Sequence, residues 1–189
     1  QMVKMAGIAA RYHLESPVAA QCIYNLVHRE LEREVIPAAI DQGMGILCYS
    51  ALGGGLLTGK YSGMKAPSKG TRLSYRSEVD GPRFWNPRGL QTADILNKIS
   101  TSSGVPITTL AIAWPLKRRF VTSVIIGARN LQQLEANLEA ANWDIPDSLF
   151  NKLEKKTRPD EEYMTWFTKR NYDRFFAAAD FHDEESELP

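Results

Sequence analysis

Pro17-Val-Ala-Ala-Gln-Cys-Ile23, then Arg29 to Gln42, then Ile46-Leu-Cys-Tyr49 is the stretch whose reading decides the fold. The outer two segments are short apolar runs of strand length. Between them Leu31, Val35, Ile36, Ala39 and Ile40 recur on one helical face, and Gly43 and Gly45 supply the stop. Strand, helix, strand in this order predicts two parallel strands joined by a right-handed crossover. The logic repeats downstream: Thr122 to Gly127 reads as a compact strand and Leu131 to Ala141 as the helix that follows it. Leu90 to Ser102 and Thr108 to Arg118 are amphipathic helices separated by Gly104-Val-Pro106, and Pro146 to Lys156 is a further helix. The expected class is α/β with a parallel sheet.

Other segments read differently. Gln1 to Tyr12 is helical, with Met2, Met5, Ala6, Ile8, Ala9 and Tyr12 on one face, yet it starts without a capping residue, as though entered partway. Gly53 to Pro87 shows little periodicity and exceeds the usual connection length, which predicts a functional loop. Asp160 to Phe181 is aromatic and charged, a terminal helix by expectation, and Asp183 to Glu187 reads as a solvated tail.

Composition narrows the function classes. The chain has 189 residues, 43% of them hydrophobic, and a formal charge of +1, so one domain is expected and no overall field draws it to nucleic acid or to an anionic membrane. No run reaches the roughly 18 to 20 apolar residues that span a bilayer, and no charged-then-apolar leader opens the chain; the expectation is a cytoplasmic protein. Cys22 and Cys48 fall in predicted strands as reduced thiols, and His13, His28 and His182 are scattered without ligand spacing, so no metal site is expected. Glu30, Glu32 and Glu34 read as a solvated helix face.

The ligand-bearing segments sit where strands end. Gly127-Ala-Arg-Asn130 puts a glycine, a cation and an Asn cap at a helix start, where free N–H groups and the helix dipole favour phosphate. Arg129 can grip such a group with about 1.5–3 kcal/mol; a plain helix cap beside a solvated arginine is the alternative. Gly53-Gly-Gly55 after Tyr49 and Ser50 permits close backbone approach to a pyrophosphate, with Lys60 and Arg72 supplying charge. Tyr49 at a strand end can stack on a flat ring, or simply pack in the core. The Tyr61-x-x-x-Lys65 spacing matches a dehydrogenase proton-donor pair, but it lies in a glycine-containing loop instead of the helix such a pair needs.

Taken in order, Gln21-x-x-Tyr-Asn-Leu26, Tyr49-Ser-x-Leu-x-x-Gly-x-Leu-Thr-Gly-Lys-Tyr61 and Gly127-Ala-Arg followed by Gln133-Leu-x-x-Asn137 resemble the C-terminal half of the aldo-keto reductases. These are NADPH-dependent (β/α)8 TIM-barrel enzymes that reduce aldehydes and ketones. The resemblance covers nearly the whole chain and is closest to the branch with bacterial general-stress-type reductases and potassium channel beta subunits. It implies strands six to eight of the barrel, an incomplete barrel within one partial domain over 1–189. Residues 53–89 would form a cofactor-covering loop and 157–189 a C-terminal extension.

By that resemblance the cofactor is NADP(H). Gln21 would bond the nicotinamide carboxamide and Tyr49 would stack on its ring. Ser50, Ala51, Leu52, Gly53 and Gly54 would wrap the pyrophosphate, under Lys60 and Arg72. Gly127, Arg129, Gln133 and Asn137 would hold the adenosine end, with Arg129 at the 2′-phosphate. Ala136 stands where a Glu is usual, and Ala51 where a Pro is common. The family's catalytic Asp, Tyr, Lys and His belong to the first four strands, and no catalytic residue is assigned here. By the same resemblance the chain, with its uncapped first helix, is expected to begin inside the fifth barrel helix, and three strands cannot close a barrel of about 250 residues. Alone it would be inactive, with exposed edges that the N-terminal half-barrel or a second copy could cover. A non-catalytic NADP(H)-binding module and a non-functional gene remnant are the other readings. Phe84, Trp85, Trp166, Phe167 and Tyr172 are candidate substrate-pocket aromatics, though packing is the commoner role.

Overall fold

Three parallel strands, β1 (Ala19–Ile23), β2 (Gly45–Tyr49) and β3 (Val121–Val124), lie side by side in that order in the computed structural model, which describes residues 1–159 and Phe167. The α/β class and the parallel pairing are as the hydrophobic pattern implies. An N-terminal helix α1 (Met2–Tyr12) precedes β1, and α2 (Val35–Asp41) crosses from β1 to β2. Four helices lie between β2 and β3: α3 (Arg72–Tyr75), α4 (Ser77–Phe84), α5 (Pro87–Ser103) and α6 (Ile107–Leu116). Two more, α7 (Leu131–Ala141) and α8 (Asp147–Thr157), follow β3. All of these belong to one unit, Gln1–Arg158; Pro159–Pro189 separates as a second. The terminal helix expected over 160–181, with Trp166 and Tyr172, and the acidic tail lie outside the described residues, apart from Phe167. Among the described residues no helix is long and apolar enough to cross a membrane.

The crossover helix is shorter than the periodicity of 29–42 suggests. A 3-10 turn at Glu30–Glu32 comes first, and α2 starts only at Val35, so Pro37 falls in its first turn. There the missing N–H has no helical partner to lose, whereas deeper in a helix the ring would meet the carbonyl four residues back. The larger departure is the segment 53–89. Where the sequence lacks periodicity, the chain forms a 3-10 turn at Gly53–Thr58, then α3, α4 and the start of α5. These short helices bury Leu56, Leu73 and Phe84 as a small second core, with Tyr61 edge-on to Trp85. Phe84 and Trp85 therefore pack, and the Tyr61 ring is buried while Lys65 is exposed.

One glycine shows how closely the strands approach. Ile46 pairs with Val121 and Leu47 with Ser123, so Thr122 is an extra residue on β3. The Ile46 N–H donates to the Thr122 hydroxyl at 3.1 Å in place of a backbone carbonyl. That oxygen lies 2.7 Å from where a Cβ at position 45 would stand, a space only Gly45 leaves open.

The main core lies between the sheet and α2, α5, α6 and α8, around Ile46, Cys48, Leu96, Leu110 and Trp114. α6 is buried from Leu110 through Pro115, which explains its nearly continuous apolar sequence. Beside Trp114 lies a charge network that the sequence does not announce. Arg29, 1% exposed, donates from Nε to Glu32 at 2.8 Å and from a terminal nitrogen to Glu154 at 2.9 Å. Arg118 bonds both carboxylates, the Trp114 indole N–H donates to Glu154 at 2.7 Å, and the Tyr24 hydroxyl donates to Glu32 at 2.7 Å. The guanidinium carbons of Arg29 and Arg118 lie 5.0 and 4.9 Å from the Trp114 ring centroid. Glu32 is thus a paired, partly buried group and not part of a solvated face, which corrects the sequence reading. Burial alone would raise its carboxyl; the bonds from Arg29 and Tyr24 and the two arginine charges outweigh that and hold it below the usual value.

Two outcomes follow from this network. Arg29→Leu removes one of the two cations that Glu32 and Glu154 share, leaving Arg118 to pair both, and should lower unfolding free energy by about 3 kcal/mol in denaturant titrations. Because the folded Glu32 carboxyl titrates lower than the unfolded one, its stabilising effect is complete above the ordinary Glu value of about 4.3 and disappears as the pH falls below it. Urea midpoints measured from pH 6 to 3 should fall less steeply in Glu32→Gln than in the parent.

Candidate functional site

Asn25, just past β1, is fully buried and organises the carboxyl end of the sheet. Its Oδ1 accepts from the Val27 and His28 N–H groups at 2.8 and 2.9 Å, and its Nδ2 donates to the Ser50 carbonyl at 2.9 Å. That carbonyl also accepts from the Gly53 N–H at 2.8 Å. Ser50 has φ 59°, left-handed backbone that a serine adopts only when its surroundings hold it there. The turn reverses the chain at the end of β2 and leaves the Ala51 and Leu52 N–H groups without an acceptor among the described residues. Gly53, Gly54 and Gly55 continue with positive φ, and a Cβ at Gly55 would stand 2.8 Å from the Lys60 ammonium, which folds back over the turn.

These residues form one wall of a cleft of about 750 Å³. Twelve of the thirteen expected binding residues line it: Gln21 from β1, Tyr49 from β2, Ser50, Ala51, Leu52, Gly54, Lys60 and Arg72 from the long connection, and Gly127, Arg129, Gln133 and Asn137 from the third segment. The thirteenth, Gly53, is buried behind the wall against Leu57 and Phe84. Segments more than a hundred residues apart therefore meet in one place. Lys60, Arg72 and Arg129 all line the cleft, and among the described residues no carboxylate does.

The helix start at α7 differs from the expectation in one respect. Asn130 caps it, Oδ1 accepting from the Gln133 N–H at 2.9 Å, and Gln133 Oε1 accepts from the Arg129 N–H at 3.0 Å. Side chains thus occupy two N–H groups at this helix start, so that the Arg129 guanidinium and the remaining first-turn N–H groups are the donors left for an anion. Asn137 is buried and its Nδ2 donates to the Gly127 carbonyl at 3.4 Å, so it holds the loop in place.

Tyr75, Thr58 and Thr108 also line the cleft and were not singled out from the sequence. Arg129 donates to the Tyr75 hydroxyl at 3.0 Å and its guanidinium carbon lies 5.7 Å from that ring's centroid. Tyr75 lies three residues after Arg72, a spacing that placed it beside the cleft only if 72–75 was helical. Cys22 and Cys48 are free and sit opposite each other on β1 and β2. Burial, with the neighbouring Cys22, pushes the Cys48 thiol up to about 12, and burial raises Cys22 too, so neither is a ready nucleophile. His28 does not line the cleft, and its Nε2–H donates to the Arg83 carbonyl at 2.8 Å. Among the described residues no His, Cys, Asp and Glu group has the arrangement to hold a metal ion.

The sequence model of the Aldo/keto reductase family matches residues 2–158. The chain belongs to that family. A putative voltage-gated potassium channel subunit beta of Schizosaccharomyces pombe is 33% identical over 140 residues, covering 72% of this chain and 40% of that protein. A probable voltage-gated potassium channel subunit beta of Arabidopsis thaliana is 33% identical over 178 residues, 86% of this chain and 52% of the relative. The L-glyceraldehyde 3-phosphate reductase of Escherichia coli K12 is 32% identical over 121 residues, 63% and 35% respectively. The chain therefore spans 35–52% of the length of these three relatives.

Replacing Asn25 tests how the family's strand-end geometry is held. Asn25→Ala leaves one buried and one partly buried N–H group without an acceptor and should destabilise the chain by about 2–3 kcal/mol in chemical denaturation. Faster amide exchange should appear at Val27 and His28, and unchanged exchange there would contradict the assigned role.

Proposed function

We propose that this chain is the cofactor-binding C-terminal portion of an NADPH-dependent aldo-keto reductase, strands six to eight of its barrel, with NADP(H) held in the cleft. The observation that carries this reading is a cleft that, among the described residues, is lined by three cations and no carboxylate, in a chain whose net charge is only +1. Its volume lies within the roughly 300–1,000 Å³ of small-molecule sites. The acceptor-free Ala51 and Leu52 N–H groups and the Lys60 ammonium suit a pyrophosphate, and Arg129 suits the 2′-phosphate. Gln21 and Tyr49 would bind and orient the nicotinamide at the strand ends, and Gln133 and Asn137 would keep the adenosine side in shape.

When bound, the cofactor supplies a hydride for a carbonyl carbon. The residues present bind, orient and shield it. The proton for the carbonyl oxygen comes from the family's Tyr on the first four strands, outside these 189 residues, so this portion alone should be inactive. The 53–89 segment would cover the cofactor, 157–189 would be an extension, and the N-terminal half-barrel or a second copy would be the partner. A cytoplasmic setting suits such a soluble reductase. A second reading, an NADP(H)-binding module without turnover, is favoured by the channel-subunit names of two relatives.

Titration of the chain with NADPH and with NADH, followed by Trp quenching and nucleotide fluorescence, tests the reading. Saturable binding is expected, stronger for NADPH, and Arg129→Ala should weaken NADPH about ten- to hundredfold while leaving NADH nearly unchanged. Equal losses for both nucleotides, or no saturation, would rule out this assignment of the cleft.

A further inference from the structure

We propose that Asp80 is a positioning residue for anion binding in the cleft, acting through Arg72; this rests on the cofactor reading above. Asp80 is 0% exposed and does not line the cleft. Its Oδ2 accepts from Arg72 Nε at 2.8 Å and lies 3.2 Å from Arg76 Nε. Its Oδ1 has no hydrogen-bond partner, with an Arg83 terminal nitrogen 3.8 Å away. A carboxylate buried with one oxygen unbonded is a poor choice for stability alone. What it does is hold the one nitrogen of Arg72 that faces away from the fork.

Arg72 is half exposed and lines the cleft, and among the described residues its two terminal nitrogens have no partner. With Nε fixed, the guanidinium plane is set before a ligand arrives, so the ordering cost of a long side chain falls on folding and not on binding. The bond also ties the connection after the glycine turn to α4. The arrangement makes a prediction whose sign is unusual. By charge alone, neutralising Asp80 leaves the cleft more positive and would tighten an anion; by positioning, it weakens one.

A double-mutant cycle on the full chain separates these, with NADPH binding as the readout for the parent, Asp80→Asn, Arg72→Ala and the double variant. Each single change should raise the Kd about tenfold, and the double should be no weaker than Arg72→Ala alone. Tighter or unchanged binding in Asp80→Asn overturns the proposal, as does an equal further loss in the Arg72→Ala background, which marks a general structural defect. If Asp80→Asn does not fold, Arg72→Lys decides: it keeps the charge but has no Nε to be held, and should bind as weakly as Arg72→Ala, parental affinity being the overturning result. Failure of the parent to bind NADPH would remove the cofactor reading instead. The Asp80–Arg72 contact is then read without ligand from the Arg72 Nε–H NMR signal, which must be slow to exchange in the parent and fast in Asp80→Asn, and a fast parental signal overturns the proposal.

Discussion

Two arginines and two glutamates shut in beside Trp114 are the constraint that the rest of the unit has to satisfy. Arg29 comes from the turn after β1, Glu32 from the 3-10 turn that follows, Arg118 from just beyond α6 and Glu154 from α8. Removing four such charges from water costs several kcal/mol for each ion, and their attraction repays that only when every partner is in place. The network is therefore poor as a source of stability and strong as a test of arrangement. A chain that misplaced α8 or the end of α6 would leave a charge unpaired in the core. Arg88 adds to the closure, bonding the carbonyls of Val27 and Thr157 from the first turn of α5.

The cleft inherits its geometry from this anchoring. Val27 and Arg29 are held on the core side, so Asn25 between them and β1 has a fixed place from which to reach the Ser50 carbonyl. That single bond, with the Gly53 N–H on the same oxygen, keeps Ser50 in left-handed backbone, and the two N–H groups that follow have no acceptor among the described residues. On the other side, the extra residue in β3 and the hydroxyl of Thr122 set how β3 meets β2 before the chain continues to Gly127. Core polar bonds thus decide where the cations of the cleft stand.

What could be read in advance follows from where the information lies in the chain. β1, β2, α5, α6 and α7 carry their own periodicity, and Asn130 and the glycines mark where elements start and stop, so their existence was plain from local sequence. The binding residues were legible for a related reason: each segment has several of them together at the end of an apolar run. α3 and α4 were not, because polar residues there are organised by Asp80, whose role depends on three arginines at different distances along the chain. Glu32 was misread for the same reason. Its surface spacing beside Glu30 and Glu34 is real, while its partners Arg118 and Tyr24 are brought to it only by packing. Tyr75 belongs to the same class, since its meeting with Arg129 joins residues 54 positions apart.

The exposed apolar residues bear on the proposed place of this unit in a barrel. β1 and β3 each have one side unpaired among the described residues, and the face bearing Ala19, Gln21 and Ser123 is open. The same imbalance recurs on the two flanking helices. Met5, Ile8 and Tyr12 of α1 are exposed although they share an apolar face with buried Ala9, and Leu131, Leu134 and Leu138 stand exposed on α7. Scattered apolar residues on a surface need no explanation, but two helices that each expose several apolar residues, in a unit whose sheet also has two unpaired edges among the described residues, call for a common one. A sheet continued on both sides until it closes would pair the edges and cover the open face and both helices at once. The proposed reading of the cleft as one end of a family barrel and the bare surfaces then meet in one geometric requirement, strand partners for the open sides of β1 and β3.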